Sequence, residues 1–277
     1  CNGLLLLNLG SDLLLWNPLT RCYRKMLTYD RLLDAGYHIM SGLCCYDSSI
    51  DDYKVVIGLG YNQNRDYSEN FVKVGSFKST LKDVSFPYKI LATTQGLVVN
   101  GQLHWLVNAT DLHHIIIYFD PAKNEFGEVP IPQSKTVLGL GVLGGCLCMA
   151  RRLFDENDDF DWGNIEVSMM MEYGVKESWT TVFVISNLTG IIHYGVLDRL
   201  EPLCFTKNGE ILMLLGRRKI LAYNPTERCW RNIPIPTNID AAIYKELPDA
   251  VTYVQTLVSP NALKTHDRER TKEEKQL

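Results

Sequence analysis

The sequence predicts an all-β fold, a β-propeller built from antiparallel blades. Three observations predict it: a turn motif that recurs at wide intervals, short apolar runs of strand length between turn signals, and almost no helical periodicity. The chain has 277 residues, of which 46% are apolar and 22% are charged. A chain of this size can bury a core without the help of metals or disulfides.

The recurring motif reads aromatic, Asx, Pro, four residues, aromatic, and its three copies begin at Trp16, Phe119 and Tyr223. The Asx side chain accepts a hydrogen bond from the backbone two residues on, and proline presets the next φ angle. The motif therefore reverses an extended chain at low cost. We expect its two aromatic residues to lie on neighbouring antiparallel strands and to pack as a cross-strand pair.

Each copy of the motif follows an aliphatic run, and each run follows an Asn-Gly step, at Asn2, Asn100 and Asn208. Asn-Gly supplies the positive φ angles that a tight hairpin turn needs. The repeated unit is therefore a turn, a strand, a loop, a second strand, the Asx-Pro turn and a third strand.

The spacing of the Asx-Pro turns bounds the number of blades. The Asx residues stand at positions 17, 120 and 224, which are 103 and 104 residues apart. Repeat units of about 20 to 50 residues are typical, so we expect one degenerate unit in each gap, with turns near residues 76 and 174. Six blades are favoured, and five or seven also fit. A two-sheet sandwich is the alternative architecture.

Apolar runs predict further strands at residues 53–59, 146–149, 181–185, 211–215 and 251–258. The last of these is expected to complete a blade that begins near the N-terminus. Residues 241–247 are the one plausible helix predicted within the folded part.

Several segments match a single pattern, and residues 171–179, MEYGVKESW, are the most specific of them. The others are residues 1–5, 15–21, 52–56, 101–105 and 119–126. Together these segments resemble the plant F-box-associated domain of F-box/kelch-repeat proteins, a group whose relatives include S-locus F-box proteins. One departure is visible: Ser79, Thr80 and Leu81 occupy the place where the family usually has a tryptophan. We therefore expect that blade to pack differently.

The resemblance implies a kelch-like β-propeller domain over residues 1–262, with an F-box upstream of this chain. Residues 263–277 are expected to form a disordered tail. The reason is that residues 264–277 include nine charged side chains and almost nothing to bury.

The resemblance also implies a function: the substrate-recognition module of an F-box protein, the receptor subunit of an SCF (cullin-RING) ubiquitin ligase. Its partners would be a target protein and, through the upstream F-box, the SCF adaptor. The chain would be non-catalytic, since ubiquitin transfer occurs on another subunit, and we expect it in the cytoplasm or nucleus. Two alternatives stay open: a propeller enzyme acting on glycans, and an interaction scaffold without a ligase.

No catalytic, cofactor-binding or metal-binding residues are predicted. Glycines 139, 141 and 144 match a dinucleotide-binding pattern, but a strand instead of a helix follows, which favours a blade turn. Residues 155–166 imitate a calcium loop, but Phe160 stands where the bend needs glycine, so a solvated acidic loop is favoured. The sequence has no histidine pair at metal-binding spacing, no nucleophile elbow and no Walker-type loop.

Composition argues against two kinds of partner. The net charge of −4 lacks the basic excess that drives phosphate contact, so nucleic acid is not expected. The longest uncharged stretch, residues 136–150, is too short and too interrupted to span a membrane. The eight cysteines are expected to be buried free thiols in a reducing compartment. Candidates for a partner-binding rim are the polar loops at residues 47–52, 61–69, 108–114 and 155–162.

Overall fold

The computed structural model consists almost entirely of β-strands. It describes residues 1–9, 12–28, 37–47, 52–62, 68–76, 79–90, 94–110, 113–132, 137–153, 164–186, 199–216, 219–234 and 250–261. These residues form five sheets, and their only helical element is a single 3₁₀ turn, Lys176–Ser178. No helix within these ranges is long and apolar enough to cross a membrane. The all-β prediction is therefore confirmed.

The strands follow one another along the chain sheet by sheet. The first sheet contains β1 (Leu5–Leu9), β2 (Asp12–Trp16) and β3 (Tyr23–Thr28). The second contains β4 (Tyr37–Asp47), β5 (Asp52–Asn62), β6 (Ser68–Ser76), β7 (Lys82–Asp83) and β8 (Thr94–Gln95), in the order β7-β6-β5-β4-β8. The third contains β9 (Leu97–Val99), β10 (Gln102–Thr110), β11 (His113–Asp120) and β12 (Glu125–Val129).

The remaining two sheets repeat the simple order of the third. The fourth contains β13 (Val137–Leu143), β14 (Cys146–Arg152), β15 (Ile165–Met170) and β16 (Trp179–Ile185). The fifth contains β17 (Leu200–Phe205), β18 (Ile211–Leu215), β19 (Lys219–Asn224) and β20 (Cys229–Ile233). The strand pairs of the first, fourth and fifth sheets are antiparallel, and in the second sheet β4 and β8 form a parallel pair whereas the other pairs are antiparallel.

The sheets are the blades of a β-propeller of antiparallel sheets, as the sequence predicts. The described residues supply five blades, not the favoured six, and five was within the predicted range. The degenerate units exist: Ser79 N–H donates to the Ser76 carbonyl at 3.3 Å in the turn before β7. The turn between β15 and β16 contains Gly174 with a φ of 82°.

Four of the five strands predicted from apolar runs are confirmed, within β5, β14, β16 and β18. The fifth prediction is wrong, because residues 251–258 have no strand pairing in the structure. That segment is held by a side-chain amide rather than by a ladder of backbone hydrogen bonds. The helix predicted at residues 241–247 lies outside the described residues.

The chain divides into two compact units, each with its own core. The first unit comprises Cys1–Asn108, Tyr118–Gly127 and Tyr253–Leu277, and the second comprises Ala109–Ile117 and Glu128–Thr252. One core cluster of the first unit centres on the alternating side chains of β2 and β5, including Leu13, Leu15 and Val55. The second unit is organised around side chains of the fourth and fifth sheets, where Phe183 and Tyr223 stack at 5.2 Å.

The three Asx-Pro turns share one hydrogen-bond pattern. In each turn the Asx Oδ1 atom accepts the backbone N–H groups two and three residues further along the chain. The distances are 2.9 and 3.2 Å at Asn17, 2.9 and 3.2 Å at Asp120, and 3.0 and 3.1 Å at Asn224. The same hydrogen-bond pattern at all three positions confirms that the motif is a structural repeat.

The aromatic residues that flank these turns pair across strands as predicted. Trp16 faces Tyr23 in the register of β2 and β3, and the same register joins β19 to β20 at the third copy. In the second copy the rings of Phe119 and Phe126 lie 5.1 Å apart. Each Asx-Pro reversal therefore brings two aromatic side chains together.

Each turn also needs a left-handed residue that the motif did not reveal. Four positions after the Asx residue, φ is 58° at Arg21, 57° at Asn124 and 52° at Arg228. Asparagine tolerates this region, whereas arginine seldom occupies it. The two side-chain hydrogen bonds in each turn favour this conformation despite its cost.

Asn17 differs from the other two Asx residues because it also holds the C-terminal segment. It is fully buried, and its Nδ2 atom donates to the carbonyls of Thr256 at 3.0 Å and Val258 at 2.7 Å. Gly3 lies against the same segment, where a Cβ atom would collide with the Thr256 side chain and the Val254 carbonyl. The Asn17 side chain thus closes its own turn and also holds Thr256 and Val258, which lie 239 and 241 positions further along the chain.

Replacing Asn17 by alanine should lower the free energy of unfolding by about 2–4 kcal/mol, because four hydrogen bonds are lost at a buried site. Asn224→Ala is the matched control, since its turn has the same two Oδ1 hydrogen bonds without the C-terminal contact. Its loss should be about 1–2 kcal/mol. Urea denaturation of both variants measures the difference, and equal losses would show that the amide contact to residues 256 and 258 contributes nothing.

Candidate functional site

The glycine-rich segment before β14 packs closely against β17 and then forms a hairpin turn. Gly139 and Gly141 lie in β13, where added Cβ atoms would collide with the backbone carbonyls of Leu200 and Pro202 in β17. Gly144 and the next glycine then form the hairpin turn into β14, with φ angles of 58° and 84°. The strand-turn-strand context confirms the blade turn predicted from the sequence.

Glu166, the last position of the calcium-loop imitation, is engaged in a buried ion pair. Its Oε2 atom accepts from Arg151 Nε at 2.8 Å and from Nη2 at 2.7 Å. Its Oε1 atom accepts from Ser168 Oγ at 2.7 Å and from Thr181 Oγ1. Burial alone would raise the pKa of Glu166, but these hydrogen bonds and the Arg151 charge outweigh it and lower the pKa. The carboxylate therefore ties β14, β15 and β16 together. Positions 155–161 of the imitation lie outside the described residues.

His104 and Trp105 are packed residues of the third sheet, and both are fully buried. His104 Nδ1 lies 3.3 Å from the Leu97 carbonyl oxygen. Burial lowers the pKa of His104 from 6.5 to about 4, although hydrogen bonds to the Leu97 and Gln102 backbone oppose the shift. The imidazole is therefore neutral at pH 7.

The described cysteines are free thiols, in accordance with the sequence prediction. Cys44 and Cys148 are buried as expected, but Cys22 and Cys229 are exposed, because both lie at the ends of Asx-Pro turns. No group of three or more His, Cys, Asp and Glu side chains in the described ranges is arranged to hold a metal ion.

The loops predicted to bind a partner are mostly outside the described residues. Residues 48–51, 63–67, 111–112 and 154–163 are not described, and they include the central parts of all four predicted loops. Within the described residues, concave features lie along the sheets.

A cavity of about 530 Å³ lies in the first unit, between the first and second sheets. Its apolar wall contains Val55, Ile57 and Leu59, which alternate along β5 and so point to one face. Leu13 of β2 closes the wall on one side, and Phe71 of β6, with 51% of its surface exposed, stands opposite Leu59. We call this space the β2–β6 cavity.

Three cationic side chains also line the β2–β6 cavity: Arg24, Lys25 and Lys73. Lys25 pairs with Asp12 at 2.7 Å, and Lys73 pairs with Asp83 at 2.7 Å. Neither aspartate lines the cavity, nor does any other carboxylate among the described residues. The charged residues that line the cavity are therefore cationic, and the two aspartates offset part of the charge of Lys25 and Lys73 from outside the lining.

The cavity lies beside the short outer strand of the second sheet. β7 has two residues, whereas the outer strands β3, β12, β16 and β20 have five to seven. In the fourth sheet the outer strand begins with Trp179, whose indole N–H donates to the Pro130 carbonyl at 2.9 Å. In the second sheet the smaller Leu81 precedes the strand and lines the cavity. This agrees with the different packing expected where the family's tryptophan is replaced.

A second cleft, of about 770 Å³, lies in the second unit between β16 and the end of the fifth sheet. Its lining includes Val182 and Val184, which are exposed, and Trp230. Arg228, one of the left-handed turn residues, borders it.

A known protein family matches the region that contains these five sheets. A family model described as the F-box associated beta propeller domain matches residues 1–260. The chain belongs to this family. The match covers all five sheets of this F-box-associated propeller, and it confirms the resemblance seen in the sequence motifs.

Relatives of this F-box-associated propeller are F-box proteins of Arabidopsis thaliana. An F-box/kelch-repeat protein is 28% identical over 274 residues, a second F-box protein 27% over 271, and F-box protein CPR1 28% over 256. The alignments cover 95%, 81% and 80% of this chain, and 68%, 62% and 59% of the relatives. The F-box-associated propeller therefore spans about two thirds or less of these proteins.

Solved structures add only a distant likeness to the F-box-associated propeller. The Bacteroides ovatus Xyloglucan PUL GH43B protein is 10% identical, with a TM-score of 0.40, over 86% of this chain and 53% of its own. YCF48 bound to D1 peptide is 11% identical, with a TM-score of 0.41, over 82% and 63%. Likeness at this level carries no functional argument.

Replacing Glu166 by glutamine should lower the free energy of unfolding by about 2–4 kcal/mol, because Arg151 loses its charge partner in a largely buried position. Glu210→Gln is the matched control, since its pair with Arg231 is near the surface and should contribute far less. Urea denaturation measures both. Equal effects in the two variants would show that the Glu166 network is no stronger than a surface ion pair.

Lowering the pH from 7 to 5 should reduce the contribution of His104 to the free energy of unfolding by about 1–2 kcal/mol. The unfolded imidazole binds a proton as the pH falls through 6.5, whereas the folded one binds it only near 4. Stability is therefore present above pH 6.5 and is lost towards pH 4. His38 and His114, whose pKa values burial also lowers, act in the same direction. The variant His104→Asn should show a weaker pH dependence by this amount, and an unchanged dependence would refute the assignment.

Proposed function

We propose that this chain is the substrate-recognition module of an F-box protein, the receptor subunit of an SCF ubiquitin ligase. The observation that carries the proposal is the family match over residues 1–260, together with relatives that are F-box proteins. In this proposal the propeller holds a target protein and an F-box elsewhere in the natural protein binds the SCF adaptor. The chain performs no chemistry itself and acts in the cytoplasm or nucleus.

The physical construction of the domain supports a binding role. Sheets fastened by repeated turns form a rigid support, and binding residues commonly lie on loops that such a support positions. The buried ionisable groups described above are used internally: Glu166 joins three strands and His104 packs within the third sheet. The alternative of a glycan-acting enzyme has only distant structural likeness in its favour, which carries no functional argument.

The full-length protein that contains this chain should co-purify with the SCF adaptor, and deletion of its F-box should abolish the interaction. A deletion variant with an unchanged melting temperature serves as the folding control. Quantitative pull-down with purified adaptor measures the result. A stable full-length protein with an intact F-box that does not bind the adaptor would contradict the proposed function.

A further inference from the structure

The β2–β6 cavity has the size and lining of a binding pocket. Ligand pockets usually occupy about 300–1,000 Å³ and combine mainly apolar walls with a few polar groups, and this cavity measures about 530 Å³. Its wall is continuous across two paired strands, because Ile57 lies opposite Lys73 and Leu59 lies opposite Phe71 in the β5–β6 register. The space can therefore receive a large apolar side chain.

The charged residues that line the cavity determine which residues can lie next to that apolar side chain. Arg24 and Lys25 approach from β3, while Lys73 approaches from β6, so cations stand on both walls. Asp12 and Asp83, which pair with Lys25 and Lys73, lie outside the lining and offset part of its positive charge. An acidic group beside the apolar side chain would meet complementary charge on entry.

The mouth of the cavity favours a protein segment over a compact small molecule. Phe71, Ser79 and Thr80 are exposed there, so contacts can continue onto the surface beyond the cavity. An exposed aromatic residue beside a pocket is typical of sites where a partner chain is anchored.

We propose that the β2–β6 cavity anchors the target protein by receiving a large apolar side chain from a segment that also carries acidic residues. This inference rests on the proposed function, because it assigns the cavity to the protein that the receptor holds. Ser79, Thr80 and Leu81 line the pocket, so the anchor is a property of this chain's second sheet.

The test is a selection of phage-displayed random peptides on the intact chain. The selected peptides should contain a large aromatic or aliphatic residue beside aspartate or glutamate. Fluorescence anisotropy of a labelled selected peptide should then give at least about tenfold weaker binding to Leu81→Trp, which fills the cavity; tenfold corresponds to about 1.4 kcal/mol. Thr80→Trp fills the mouth from an exposed position and should have a similar effect if Leu81→Trp fails to fold.

Two controls make the selection specific. Val182→Trp adds the same side chain at the other cleft and should leave peptide binding unchanged. Lys73→Gln should weaken binding severalfold, whereas Lys207→Gln, on the exposed turn before β18, should not. Three outcomes would overturn the proposal: selection of no peptides, selection of basic peptides, or peptide binding to both tryptophan variants of the cavity that is as tight as binding to the unsubstituted chain.

The pull-down with the SCF adaptor separates this inference from the proposed function. Adaptor binding without cavity-dependent peptide binding overturns only the anchor. If the peptide binds in the cavity but the full-length protein does not bind the adaptor, the result supports the cavity as a peptide-binding site and contradicts the proposed ligase role.

Discussion

Each Asx-Pro turn depends on one side-chain oxygen that accepts two backbone N–H groups. This interaction appears with nearly the same distances at Asn17, Asp120 and Asn224. It stabilises a reversal that also contains a left-handed residue, and it places aromatic side chains on adjacent strands. At Asn17 the same side chain uses its amide to hold the C-terminal segment, so the first sheet depends on it twice.

Close packing between sheets depends on glycine and on a few large side chains. In the first unit the Trp105 indole N–H donates to the Ser41 carbonyl at 3.0 Å. Gly42 and Gly96 leave the room that its ring occupies. Trp179 makes a comparable contact in the second unit. In the second sheet the smaller Leu81 precedes the outer strand and lines the β2–β6 cavity. The proposed anchor therefore lies where the packing of this sheet leaves space.

The sequence predicted the features that local chemistry determines. The Asx-Pro reversals, the hairpin at Asn100, the aromatic pairs and the all-β class each follow from a few adjacent residues. The conformation of residues 251–258 could not be predicted from the sequence. This apolar run has a strand-like composition, but the side chain of Asn17, from the other end of the chain, holds it instead of a paired strand. Arg21 and Arg228 carry no local sign of left-handed backbone either. The tryptophan replacement at residues 79–81 pointed to altered packing, but the cationic lining became visible only when β3 and β6 were placed side by side.

Hydrogen exchange with and without a phage-selected peptide is the most direct test of the anchor proposed at the β2–β6 cavity. Exchange should slow on peptide binding for the amides of residues 71–76 and 79–81, around the mouth of the β2–β6 cavity. Protection confined to other parts of the domain, with these amides unchanged, would contradict it.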